Sequence, residues 1–158
     1  EGAACTTLLA EKHIDNKNPL IIANSDQFIE WDSSKVLYEF TNKKIDGGII
    51  VFKSLHPKWS YAKTDENDIV TRVAEKNVIS DNATVGIYFW KKGNDYVKYA
   101  KQMIKKNIRV NNEFYVCPVF NEAIKDKKTI KIKKINKMWG LGTPEDLEYF
   151  YKNFKGNI

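Results

Sequence analysis

Four strand-like stretches follow one another between Asp46 and Trp90: DGGIIVFKS, WSYAKTD, DIVTRVAEK and ATVGIYFW. No helical pattern separates them. Parallel neighbours need a long crossover between them, so part of the resulting sheet has to be antiparallel. In WSYAKTD, Trp59, Tyr61 and Lys63 share one face. In IVTRVAEK, Ile69, Thr71, Val73 and Glu75 oppose Val70, Arg72, Ala74 and Lys76.

Around this block, helical and strand signals alternate. Residues 3–13 read as a helix and residues 19–24 as a strand. SSKVLYEFTNKK reads as a serine-capped helix with Val36, Leu37 and Phe40 at helical spacing. GNDYVKYAKQMIKKN carries the apolar stripe Tyr96, Val97, Ala100, Met103 and Ile104, with Asn94 or Asp95 as its cap. A further helix is expected over Pro118–Lys125 and a strand over 129–135, where isoleucines alternate with lysines. A last helix starts at TPEDL, with Thr143 as N-cap, Pro144 first, and Glu145 and Asp146 at its positive end. The pattern predicts an α/β sandwich built on a mixed sheet.

The 158 residues amount to one domain, which buries ~70% of the surface its unfolded chain exposes. Cys5 and Cys117 match no metal spacing and read as two reduced thiols. No apolar run reaches the ~20 residues of a membrane span, and no signal peptide is visible, so a cytoplasmic protein is expected. The net charge of +6 comes mostly from lysines mixed with acids, and Arg72 and Arg109 are the only arginines. That composition argues against a nucleic-acid surface. His13 and His56 share no ligand spacing, and no nucleophilic triad is legible.

The stretch LIIANSDQF, Leu20–Phe28, reads as a buried strand that stops at Asn24-Ser25-Asp26. In open α/β sheets ligands bind beyond the carboxyl ends of strands. Asp26 at such an end can hold a hard divalent cation; Mg²⁺ takes one or two carboxylates plus waters and phosphates. It can equally close a turn with Ser25. Glu75 and Lys76, adjacent in a strand, point to opposite faces unless the backbone bends there. With a bend, Glu75 could meet a polyol and Lys76 a phosphate; without one they form a surface ion pair. Gly86, inside a strand of bulky residues, marks either a close ligand approach or a bulge.

GAACTTLLA, NSDQF, HPKWSYAK, VAEK, ATVGIYFW, NNEFYVCPVFNEAI and MWGLGTPEDL occur in an order that resembles the sugar-phosphate nucleotidylyltransferases. More narrowly, the chain resembles the branch found in capsule and surface-polysaccharide gene clusters. The resemblance implies a Rossmann-like α/β fold of the glycosyltransferase-A kind. It also implies Mg²⁺-dependent transfer of a nucleotidyl group from a nucleoside triphosphate to a sugar phosphate or similar phosphate, with release of pyrophosphate. By the same resemblance, Gly2 and Ala3 belong to the segment that touches the nucleobase, and Asp26 binds the metal. Glu75 and Lys76 hold the sugar and its phosphate, Gly86 lies beside the acceptor sugar, and Glu113 belongs to a Glu-Tyr-Tyr-like segment. A sugar-nucleotide glycosyltransferase and a non-catalytic nucleotide- or sugar-binding fragment are the alternative readings.

Two departures from the family pattern set further expectations. The glycine-rich loop that cradles the triphosphate is absent, so the chain is expected to be the back part of a longer protein, or a partner in an oligomer. Leu20–Ala23 would then present an unpaired edge. Gly140 stands where the family places a second metal-binding aspartate, and Asp146 is expected to be too far along its helix to replace it.

Overall fold

The computed structural model describes residues 1–156. Its centre is β6 (Asn82–Trp90), buried along nearly its whole length. β3 (Gly47–Lys53) runs antiparallel to β6 on one side, and β7 (Ile130–Lys134) runs parallel to β3 beyond it. The other edge of β6 is shared. β1 (Leu20–Ala23) pairs with Ile87–Trp90, while β4 (Ser60–Thr64) meets β6 through Tyr61 and Ala83. β5 (Val70–Glu75) lies outside β4, giving the order β5-β4-β6-β3-β7 with β1 beside β6. The mixed sheet with a largely antiparallel centre is the one the run of consecutive strands implies.

Period-two alternation along β6 feeds two cores. Tyr88 and Trp90 face α4 (Gly93–Lys105) and α5 (Val119–Lys125), where Trp90 stacks on Phe120 with ring centres 4.3 Å apart. Val85, Ile87 and Phe89 face α3 (Ser33–Asn42), where Phe89 stacks on Phe40. Burying an aromatic or branched side chain of this size contributes about 1.5–3 kcal/mol, so these two faces hold the sheet between its helical layers.

Several local expectations are corrected. Residues 3–13 form two short helices, α1 (Ala3–Leu8) and α2 (Glu11–Ile14), broken at the exposed Leu9. The cap of α3 is Asp32, whose carboxylate accepts from the Lys35 N–H at 2.9 Å, not a serine. α4 starts after Lys92 with no side-chain cap, so neither Asn94 nor Asp95 performs that role. β1 is not a buried strand: its residues alternate half-buried and exposed, because among the described residues it has a strand partner on one edge only.

A small second sheet lies apart from the main one. β2 (Gln27–Ile29) pairs antiparallel with β8 (Met138–Gly140). α6 (Pro144–Asn153) covers it, with Phe150 packed on Phe28 and Trp139. The Thr143 hydroxyl caps α6 by accepting from the Asp146 N–H at 3.1 Å, as the sequence predicts. Cys5 and Cys117 are both free thiols. Among the described residues, no helix is long and apolar enough to cross a membrane.

Candidate active site

β1 and β4 share one edge of β6 end to end, so the carboxyl end of β1 meets the start of β4. A cavity of about 630 Å³ opens at this junction. Its floor is a bulge in β6. Between the Ile49–Tyr88 and Val51–Thr84 pairs, β3 advances two residues while β6 advances four. Gly86 sits inside this bulge at φ +73°, where a Cβ would come 2.5 Å from the Asn24 amide nitrogen. Gly86 is thus a bulge residue, and it lines the cavity.

Asp26 lines the same cavity from the turn that follows β1. The β2–β8 sheet fixes this turn, and the Leu141 N–H donates to the Asp26 carbonyl at 2.8 Å. The Asp26 carboxylate lies over Gly142, where a Cβ would come within 2.5 Å of it. A glycine at 142 keeps that space open.

Glu75 and Lys76 enter from the end of β5. Lys76 has φ +51°, a left-handed conformation uncommon for a residue with a side chain. This is the bend that lets two adjacent residues reach one cavity. Glu75 accepts a hydrogen bond from the Ser60 hydroxyl. Burial pushes its carboxyl above the usual range, against the opposing pull of Ser60 and Lys76. The Lys76 ammonium donates to the Tyr115 hydroxyl at 2.8 Å, and that bond is the main cause holding its pKa up.

Ala3 lines the cavity, whereas Gly2 does not; a Cβ on Gly2 would meet the Phe114 backbone at 2.6 Å. Glu113 is exposed and lies outside the cavity lining. The irregular segment that follows reaches in instead, through the consecutive residues Tyr115, Val116 and Cys117. The deep wall carries Thr84 and Tyr88, whose hydroxyls are hydrogen-bonded at 3.0 Å, and buried Cys117. Burial raises the pKa of both Tyr88 and Cys117, so the phenol and thiol stay neutral.

Asp146 lies nearer to Gly140 than its place along the helix suggests, although it does not line the cavity. Its carboxylate lies 3.4 Å from where a Cβ on Gly140 would sit, so it fills the space beside that glycine from the first turn of α6. There it pairs with Lys58 at 3.1 Å. Sequence position along the helix hid this proximity, because the 141–143 turn folds α6 back over β8.

A family model described as nucleotidyl transferase matches residues 1–153. The chain belongs to the nucleotidyl transferase family. No match is found among curated proteins. Among solved structures, this nucleotidyl transferase chain is similar to a nucleoside-diphosphate-sugar pyrophosphorylase from Vibrio cholerae RC9. That likeness has 25% identity and a TM-score of 0.77 over 96% of this chain and 65% of the other. A Bacillus anthracis protein described as a glucose-1-phosphate thymidylyltransferase, solved with a sucrose, shares the fold at 18% identity and a TM-score of 0.77, over 99% of this chain and 63% of the other. A UDP-glucose pyrophosphorylase complexed with UDP-glucose shares it at 16% identity and a TM-score of 0.75, over 97% of this chain and 63% of the other. The chain thus spans slightly less than two thirds of each of these three chains.

Proposed function

We propose that this cavity serves transfer of a nucleotidyl group from a nucleoside triphosphate to a sugar phosphate or similar small phosphate. The observation that carries this reading is the convergence of Asp26, Glu75, Lys76 and Gly86 on one cavity at the carboxyl end of β1. Family membership supports it.

The acceptor phosphate is already an anionic nucleophile. Its oxygen forms a bond to the α-phosphorus, the α–β bridging P–O bond breaks, and pyrophosphate leaves with the electron pair. Little proton chemistry is asked of the protein; its task is positioning and charge neutralisation. Lys76, pre-set by Tyr115, balances the acceptor phosphate. Glu75, partly desolvated, accepts from hydroxyls of the acceptor. Gly86 lets the acceptor approach the β6 backbone.

Among the described residues, no group of three or more His, Cys, Asp or Glu side chains is arranged to hold a metal ion. A single exposed carboxylate at the mouth nonetheless fits Mg²⁺, which takes few protein ligands when phosphates complete its shell. Asp26 would hold such an ion, which would supply charge neutralisation at the reacting phosphates.

The open edge of β1 supports a second part of the proposal: further strand structure completes the sheet there, and triphosphate-binding residues come from that side. A cytoplasmic role in surface-polysaccharide synthesis follows from the resemblance of the ordered motifs. The test is pyrophosphate release by the full-length protein from a panel of nucleoside triphosphates and sugar phosphates with Mg²⁺. Turnover that Asp26→Ala abolishes without unfolding is the expected result. Transfer from a sugar nucleotide with no pyrophosphate release would replace this reading with a glycosyltransferase.

A further inference from the structure

The cavity has a second cation that the family reading leaves unused. Trp59 C=O accepts from the Lys76 N–H at 3.1 Å, which sets Lys58 and Lys76 on adjacent ends of the β4–β5 hairpin. Both lysines line the cavity. Their partners differ. Lys76 rests on a neutral hydroxyl and keeps its full charge for a ligand. The Lys58 ammonium lies 4.6 Å from the centre of the Trp59 ring and 3.1 Å from Asp146 Oδ1. The Asp146 carboxylate also lies beside Gly140, 3.4 Å from where a Cβ on that residue would sit.

This pair is built to open. The side chains are 42% and 30% exposed, and ion pairs so accessible to water are weak. Asp146 has a second source of compensation, since it sits in the first turn of α6, where the free N–H groups and the positive end of the helix favour a carboxylate. Losing Lys58 therefore does not leave Asp146 stranded. A phosphate dianion offers Lys58 more charge than Asp146 does, at the same distance.

We propose that Lys58 is an anion-binding residue of this cavity and that Asp146 is its internal competitor, holding the ammonium until a substrate phosphate displaces it. The proposal rests on the nucleotidyl-transfer reading of the cavity. The phosphate belongs either to the triphosphate donor or to the acceptor; the recognising chemistry is the same.

The test is calorimetric titration of the full-length protein with inorganic pyrophosphate and, separately, inorganic phosphate, in Mg²⁺-free buffer so that the lysines alone are read. Lys58→Met keeps the apolar stem over Trp59 and removes the charge. It should weaken binding about 10-fold, and Asp146→Asn should tighten it about 3-fold, as removal of a competing charge contact does. The double variant should bind like Lys58→Met, because the gain from Asp146→Asn acts through Lys58. A larger loss for pyrophosphate assigns Lys58 to the donor, and a larger loss for phosphate assigns it to the acceptor. If Lys58→Met binds like the wild type while Lys76→Met is weakened, or if Asp146→Asn binds more weakly, the role of Lys58 is overturned and the cavity reading stands. If no variant and no wild-type sample binds either anion, both fall. Melting curves verify that every variant is folded.

Discussion

The Lys76 ammonium is held at 2.8 Å by the Tyr115 hydroxyl and lies 5.0 Å from the centre of the same ring. A lysine with four rotatable bonds loses considerable side-chain entropy when a ligand fixes it. Tyr115 meets much of that cost before the ligand arrives. Tyr115→Phe keeps the ring and removes the hydroxyl. The acceptor KM is expected to rise about 3–10-fold with a smaller change in kcat, since a lost hydrogen bond to a charged group is worth roughly 1.5 kcal/mol or less when water can replace it. Stability should change little. Steady-state kinetics over acceptor concentration, with a melting curve, checks this; a fall in kcat at constant KM would place Tyr115 elsewhere in the reaction.

Glu75 illustrates a cost of building a site. Burial raises its carboxyl pKa above the ordinary value despite Ser60 and Lys76. The folded protein therefore binds that proton more tightly than the unfolded chain does, and stability falls as pH rises through the interval from the unfolded to the folded pKa. Above that interval the ionised group is a net burden. Glu75→Gln keeps an acceptor for the Ser60 hydroxyl and removes the charge. It should raise the melting temperature at pH 7 by about 2–4 °C, the size of a ~1 kcal/mol gain in a chain of this length. The advantage should vanish below the unfolded carboxyl range, while turnover drops. Melting curves over pH for the two proteins test the sign.

The elements that carry their own periodicity are the ones the sequence discloses. β3, β5, β6 and α4 follow apolar spacing, and α6 follows its Thr-Pro-Glu-Asp start. Asp26 is legible because a strand ends just before it. What stays hidden is non-local. β2 and β8 are three residues each and their partners lie over a hundred positions apart, so neither has a pattern of its own. The Lys58–Asp146 pair spans 88 positions. Tyr115 rather than Glu113 lines the cavity, in an irregular segment that has no periodicity to mark which residue turns inward. The α3 cap is missed for a different reason: Asp32 and Ser33 are both suitable cap residues within one turn, and φ and ψ decide between them.

Gly86 is required twice over, by its φ of +73° and by the Asn24 amide 2.5 Å from its Cβ position. Gly86→Ala should lower stability by about 1–3 kcal/mol through strain at a left-handed position and displacement of Asn24. It should also narrow the cavity floor, so that acceptor binding falls more than donor binding. Melting curves and separate titrations of the two substrates distinguish these effects. An unchanged melting temperature would mean that the bulge relaxes without cost.

Glu122 is buried on α5, its side chain 1% exposed, and it receives hydrogen bonds from Lys106 and Lys125. Burial pushes its carboxyl up, but the two lysines together hold it below the usual range. A depressed folded pKa contributes stability that is present above the unfolded value and is lost as pH falls through the folded one. Glu122→Gln should therefore be less stable than the wild type at pH 7 by about 1–3 kcal/mol. The two melting curves should converge in acid. Parallel curves at all pH values would show that packing, not charge, fixes the end of α4 to α5.

Asn121 takes the place of a strand. Its side-chain oxygen accepts from the Val73 N–H and its amide donates to the Val73 carbonyl, both at 2.9 Å. This reciprocal pair satisfies the outer edge of β5 at a residue that is almost fully buried, two positions before Glu75. Asn121→Leu leaves a backbone donor and a backbone acceptor without partners. It should cost about 1–3 kcal/mol, and the loosened strand end should weaken acceptor binding through Glu75 and Lys76. Asn121→Asp isolates the polar logic. The introduced carboxylate still accepts from the N–H but sets a negative oxygen against the Val73 carbonyl, so the variant should be destabilised at pH 7. When protonated, the new acid can donate to that carbonyl. The stability gap between Asn121→Asp and the wild type should therefore narrow as pH falls, whereas the gap for Asn121→Leu should stay constant. Denaturant melts of the three proteins at neutral and acid pH decide it: equal gaps at both pH values would mean that the side chain fills space at this edge and does not substitute for a neighbouring strand.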